Sequence, residues 1–178
     1  MSIRNIEIKA RSARQADIRR ILTDLGADFR GMDHQVDTYF RVPNGRLKLR
    51  EGRIENNLIH YQRSNEGGPR ESRVTLFACK PVEGSDPSSV HPLKQILSNA
   101  LEVLVVVDKK REIYFLDNVK FHIDLVDALG EFVEIEAIDT DGSIGPEELR
   151  RQCDHYVSLF GITEDNMVAE SYSDMLIR

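Results

Sequence analysis

Asn5-Ile6-Glu7-Ile8-Lys9-Ala10 alternates polar and apolar residues without a break. In an extended chain successive side chains point to opposite faces, so Asn5, Glu7 and Lys9 share one side of a strand and Ile6, Ile8 and Ala10 the other. A half-buried strand with a solvated face is the commonest source of this pattern. Recurrence carries the reading further. Arg46, Lys48 and Arg50 alternate with Leu47 and Leu49; Lys109 and Arg111 are two apart; Lys120, His122 and Asp124 alternate with Phe121, Ile123 and Leu125; Glu134 and Glu136 flank Ile135.

Working outward, Ser12 with Gln15 has the form of a capping box opening a helix through Ile18, Ile21, Leu22 and Leu25, ended by Gly26. Strands are expected over Gln35 to Val42 and Arg46 to Arg50, joined at Pro43-Asn44-Gly45, then over Leu58 to Arg63 and Ser72 to Lys80. A second amphipathic helix runs from Val90 to Leu101 with Pro92 in its first turn. A meander follows: Leu104 to Phe115, Val119 to Asp127 and Glu131 to Ile138. Pro146 opens a helix stopped by Gly161, and a last short helix is expected from Thr163, ahead of the closing Glu170 to Leu176.

The sum is about eight strands and three or four helices, without internal repeat or composition shift, read as one domain over residues 1–178. In a sandwich the apolar faces would meet and the charges would point to water. In a closed barrel plated by amphipathic helices the apolar faces point outward and the charges line a lumen. The barrel is favoured on two counts. The helices carry apolar stripes that need a partner, and the charged strand faces are sorted by sign. The expected class is α+β, an eight-stranded antiparallel closed barrel.

With 178 residues, 40% hydrophobic and 30% charged, the chain supports a well-packed core, and a net charge of −6 argues against nucleic-acid binding by bulk electrostatics. Cys79 and Cys153 lack metal-type spacing and read as buried thiols. Met1-Ser2-Ile3-Arg4 leads into the first strand without an apolar signal region, and no run nears the roughly 18 apolar residues of a membrane span. A cytoplasmic protein with no membrane partner is expected.

Lys48, Arg50, Lys109 and Arg111 converging on one enclosure suit phosphate oxygens, Arg as a fork and Lys as a point charge. Glu7, Glu134 and Glu136, with Asp124, form an all-oxygen donor set that matches Mg²⁺ or Mn²⁺ and not zinc. Together they describe a metal–triphosphate site. There is no Walker-type phosphate loop.

The opening Ile-Glu-Ile-Lys-Ala, Asp37-Thr38-Tyr39-Phe40, Leu47-Lys48-Leu49-Arg50, Tyr61-x-Arg63 with Gly68-Pro69-Arg70-x-Ser72, Lys109-x-Arg111-x-x-Tyr114 and Glu134-Ile135-Glu136 resemble the CYTH family of triphosphate tunnel enzymes, in the family's order over nearly the whole chain. The resemblance is greatest to the class IV adenylyl cyclase branch, partly through Gly-Pro-Arg-x-Ser and the closing Ser171-Tyr172-Ser173-Asp174. It implies an eight-stranded tunnel holding a triphosphate and one or two divalent metals. Glu7 and Lys9 match the second glutamate and the lysine of the Glu-x-Glu-x-Lys signature. Lys48, Arg50, Arg63, Lys80, Lys109 and Arg111 match phosphate contacts, and Asp124, Glu134 and Glu136 match acidic metal-site positions. Asn5 stands where the signature has its first glutamate, bringing no charge. Arg70 and Val74 stand at the lysine and tyrosine positions of Gly-Pro-Lys-x-Ser-x-Tyr.

The expected function is an adenylyl cyclase-like conversion of ATP to cyclic AMP and pyrophosphate. The alternatives are a thiamine or inorganic triphosphatase releasing orthophosphate, or a non-catalytic module binding polyphosphate or a nucleotide. Lys9 is the candidate general base and Tyr39 either a hydroxyl relay or a core aromatic. His122 is read as a satisfied structural residue, with a ligand or base role as the alternative. Arg19-Arg20 and Arg150-Arg151 read as solvated helix faces; in dimerising members of the family such helices are contact surfaces, which leaves a homodimer open.

Overall fold

The computed structural model describes residues 3–63, 70–79 and 92–178. The opening stretch is a strand, β1 (Ile3–Arg11), followed by α1 (Gln15–Asp24), β2 (Asp28–Phe40), β3 (Arg46–Glu51), β4 (Asn57–Arg63), β5 (Arg70–Ala78), α2 (Pro92–Ala100), β6 (Val103–Leu116), β7 (Val119–Val126), β8 (Gly130–Asp139), α3 (Pro146–Leu159) and α4 (Tyr172–Leu176). The strands close into a barrel in the order β1-β5-β4-β3-β2-β6-β7-β8, and β8 returns to β1. Every pairing is antiparallel.

The alternation sorts inside from outside as expected for a barrel. Ile6, Ile8 and Ala10 of β1, Phe121 and Ile123 of β7 and Val133, Ile135 and Ala137 of β8 point outward and are covered by Ile18 and Leu22 of α1 and Leu149 and Cys153 of α3. Burial at 2% exposure or less along this face makes it the main hydrophobic contribution to stability. On the other side α2 lays Leu93 and Leu97 over Leu47, Leu49 and Leu58. Burial pushes the Cys153 thiol up to about 12, in keeping with packing and not reactivity. No described helix is long and apolar enough to cross a membrane.

Three local expectations are corrected. The Ser12–Gln15 capping box does not form. The helix begins at Gln15 without a side-chain cap, and the Gln15 amide is buried, donating to the Asp124 carbonyl at 2.8 Å. A strand carbonyl inside the wall needs a donor more than an exposed helix end does. The strand expected from Gln35 starts earlier, at Asp28, because the pairing with β6 shifts at Gly31. Gly31 has φ +120°, so a bulge interrupts the two-residue period there. Beyond α3, the helix expected from Thr163 is a single 3₁₀ turn, Glu164–Asn166. The chain then runs along β1 through Val168 N–H to the Lys9 carbonyl before α4, which Ser171 caps.

Candidate active site

The inward positions line a cavity of about 860 Å³, open mouths included. Its cationic side is built around one buried aspartate. Asp37 of β2 stands opposite Arg50 of β3 in the ladder, and Arg50 grips it in a fork: Nε to Oδ1 at 2.8 Å and Nη2 to Oδ2 at 2.9 Å. Lys48 Nζ and Lys109 Nζ donate to the same Oδ2 at 2.9 and 2.8 Å. Burial alone would raise the Asp37 pKa, but Arg50, Lys109 and Lys48 hold it well below the usual carboxylate range. Lys109 is brought down to about 7 by burial, reinforced by Arg50, Arg111 and Lys48 and opposed by Asp37. Arg111 forks onto Asp124 at 2.7 and 2.5 Å and also reaches Glu134 at 2.7 Å.

The acidic side lies on β1 and β8, where Glu7 stands opposite Glu136 and Lys9 opposite Glu134. Burial, together with Glu7 and Glu134, raises the Glu136 carboxyl despite the opposing Lys120. Glu134 goes the other way, held well below its ordinary range against burial by Arg111 and Lys9. Lys9 Nζ lies 3.4 Å from Glu134, donates to the Glu170 carbonyl at 3.3 Å and sits 4.0 Å over the Tyr172 ring. His122 is brought down to about 4 by burial, Arg111 and Lys120, so near neutral pH its Nδ1–H donates to Glu134 at 3.1 Å.

A loop closes between the two sides. Asp33 is fully buried and accepts the backbone N–H groups of Arg53, Ile54 and Glu55 at 2.7, 3.1 and 3.0 Å. The turn this imposes sends Glu55 into the lumen, where Arg50 Nη1 donates to it at 2.7 Å and Lys120 also donates. A Cβ on Gly52 would meet Asp33 Oδ2 at 2.5 Å and the Glu55 carbonyl at 2.7 Å. Gly52→Ala is therefore expected to destabilise the protein by about 1–3 kcal/mol in thermal unfolding; an unchanged melting temperature would show that the loop is not held by this contact.

Of the residues singled out in the sequence, Glu7, Lys9, Tyr39, Lys48, Arg50, Lys109, Arg111, Glu134 and Glu136 line this one cavity. Asp124 lies behind its wall, fully buried and bound to Arg111 and to the Tyr172 hydroxyl at 2.8 Å. Tyr39 accepts from Lys48 Nζ at 3.3 Å. Arg63 is in β4 in register with Ser72, but its side chain, like Lys80, lies outside the described residues. Sequence reading gave no role to Asp37, Glu55, Lys120 or Tyr172, which also belong to the site. Asp37 and Lys120 were visible as inward members of alternating strands; Glu55 is on a loop and Tyr172 at the far end of the chain, where no periodicity points inward.

The donor chemistry fits a hard divalent cation. Beside Glu7, Glu134 and Glu136, the buried Asn5 donates its amide to Glu136 and leaves Oδ1 without a hydrogen-bond partner among the described residues. A carbonyl oxygen is among the hard oxygen donors that Mg²⁺ and Mn²⁺ take. Among the described residues no three His, Cys, Asp or Glu side chains already converge as a cage.

Fold and lumen thus define a closed antiparallel tunnel lined by interleaved cations and carboxylates. Residues 4–172 match the CYTH domain, and the chain belongs to this family. Members of this family and neighbours in structure are adenylyl cyclase-like or triphosphatase enzymes. Its fold is similar to that of the PH1012 protein from Pyrococcus horikoshii OT3, at 26% identity and TM-score 0.74 over 96% of this chain and 98% of that one. A candidate adenylate cyclase from Vibrio parahaemolyticus aligns at 19% identity and TM-score 0.72 over 98% of each chain. A candidate adenylyl cyclase from Hippeastrum with a dominant triphosphatase activity aligns at 12% identity and TM-score 0.59 over 99% of this chain and 94% of that one. No curated protein sequence matches the chain.

Proposed function

We infer that the chain is a divalent-metal-dependent enzyme acting on an organic triphosphate, with cyclisation of ATP to cyclic AMP and pyrophosphate as the favoured reaction. The observation that carries this reading is that Lys48, Arg50, Lys109 and Arg111 line the same lumen as Glu7, Glu134 and Glu136. A triphosphate bound to a cation is the solute that satisfies both sides at once. Glu7, Glu134, Glu136 and the Asn5 carbonyl would hold the metal, which would supply positive charge to offset the negative charge developing on the phosphoryl group. Asp124, committed to Arg111 and Tyr172, is assigned to orienting Arg111 and not to the metal.

An organic substrate is favoured over inorganic tripolyphosphate because Ile59, Tyr61, Val74 and Leu76 give the lumen an apolar wall that a bare phosphate chain would leave unused. In the cyclase step the ribose 3′-oxygen bonds to the α-phosphorus, the bond to the β-phosphate oxygen breaks and the hydroxyl proton passes to a base. Lys109, brought down to about 7 by burial, holds its proton less tightly than an ordinary lysine and is the candidate for that role. Lys9, bound to Glu134, the Glu170 carbonyl and the Tyr172 face, is assigned to anchoring. The dominant triphosphatase activity of the Hippeastrum protein supports a second reading, water attacking the terminal phosphorus within the same clamp.

Products from ATP, thiamine triphosphate and tripolyphosphate, each with Mg²⁺ and with Mn²⁺, test this. Cyclic AMP with stoichiometric pyrophosphate is the expected result. Orthophosphate without a cyclic product establishes the second reading, and no turnover on any of the substrates overturns both.

A further inference from the structure

Arg50 divides its guanidinium between two carboxylates. One edge, Nε with Nη2, is fixed on Asp37 within the barrel wall, while Nη1 points to Glu55 at 2.7 Å. Glu55 in turn receives Lys120 Nζ on its other oxygen. The two anions are held differently. Asp37 is on a strand, 1% exposed and shared by Arg50, Lys48 and Lys109. Glu55 belongs to the loop between β3 and β4, with its side chain 17% exposed at the lumen surface. Its backbone is anchored by Asp33, and Gln35 Nε2 donates to its carboxylate at 3.1 Å. Two oxygens of a carboxylate and two of a phosphoryl group present the same acceptor pair to a guanidinium and an ammonium.

We propose that Arg50 Nη1 and Lys120 Nζ form a phosphate subsite of the tunnel, that Glu55 occupies it in the ligand-free protein, and that an entering phosphoryl group displaces Glu55. The proposal rests on the triphosphate reading of the tunnel and adds Lys120 as a ligand residue. Displacement proceeds by competition and not by protonation: burial favours the neutral acid, but Arg50 and Lys120 keep the Glu55 carboxyl far below its ordinary range. Without Glu55 the Nη1 edge of Arg50 and Lys120 lose their shared acceptor, so the loop carboxylate sets a threshold that weakly charged anions do not pass.

The test is metal-free binding of tripolyphosphate to the full chain by calorimetry. Glu55→Gln keeps size and an acceptor but removes the charge, and should tighten binding on the order of tenfold. Lys120→Gln should weaken binding, and in the double variant the gain from Glu55→Gln should shrink to within about threefold, because the seat has lost a member. Glu55→Asp, too short to span both cations, should shift affinity in the same direction as Glu55→Gln and serves if the latter does not fold. Unchanged or weaker binding in folded Glu55 variants overturns the proposal and leaves the tunnel reading intact. Failure of the unsubstituted protein to bind tripolyphosphate without metal overturns the subsite; failure to bind ATP with Mg²⁺ as well overturns the tunnel reading with it.

Discussion

Replacing Asp37 by asparagine is expected to lower the unfolding free energy by about 3 kcal/mol, toward the low end of the roughly 3–5 kcal/mol cost of breaking a buried ion pair. Lys48, Arg50 and Lys109 all direct donors at this carboxylate, and the neutral amide leaves three cations in the wall without their shared counter-ion. The cost stays at the low end because Lys109 is already brought down to about 7 by burial and sheds its proton more readily once Asp37 no longer opposes that. For a chain of 178 residues the melting temperature should fall by roughly 6–12 °C. The sign with pH follows from the direction of the shift. Asp37 titrates below its ordinary value of 3.8 when folded, so its contribution is complete above that value and is lost as pH falls through the folded pKa. Acid unfolding of the unsubstituted protein should carry this loss, and that of Asp37→Asn should lack it. Turnover should drop on the order of 10²-fold, because Arg50 loses the fork that fixes its orientation. Equal melting temperatures would show that Asp37 is not the organising charge of the cationic side.

Glu136→Gln is expected to move stability and activity in opposite directions. The Glu136 carboxyl is raised by burial and by Glu7 and Glu134, so its charged form is a cost to the metal-free fold at neutral pH. The amide removes that repulsion and keeps an acceptor for the Asn5 amide. A gain of about 1 kcal/mol, ~2–4 °C in metal-free melting, follows. Here the pH dependence has the opposite sign. A carboxyl raised above its ordinary value of 4.5 contributes stability at low pH that is lost as pH rises through the folded value, and the glutamine variant should lack this decline. If Glu136 helps to hold the metal, Mn²⁺ affinity should weaken and turnover should fall at least about 10²-fold. A variant with undiminished turnover would remove Glu136 from the metal set; one that melts lower without metal would show that the acidic side is not strained.

The sequence by itself determined the barrel and most of its lumen. Alternation is a local property, and once Asn5, Glu7 and Lys9 share one face with Ile6 and Ile8 on the other, helices with apolar stripes leave little choice of which face is enclosed. It therefore placed Lys48, Arg50, Lys109, Arg111, Glu134 and Glu136 on the enclosed face, and they line one cavity. What only the tertiary structure decided is which charge answers which. Asp37 reaches Lys109 across 72 positions and Tyr172 reaches Asp124 across 48, pairings fixed by barrel closure and by the chain's return along β1. Glu55 enters the lumen only because Asp33 gathers the N–H groups of a loop with no periodicity to read. Local pattern sets the direction of a side chain; its partner is set by where distant strands come to rest, and in an enclosure of low dielectric the partner decides the chemistry.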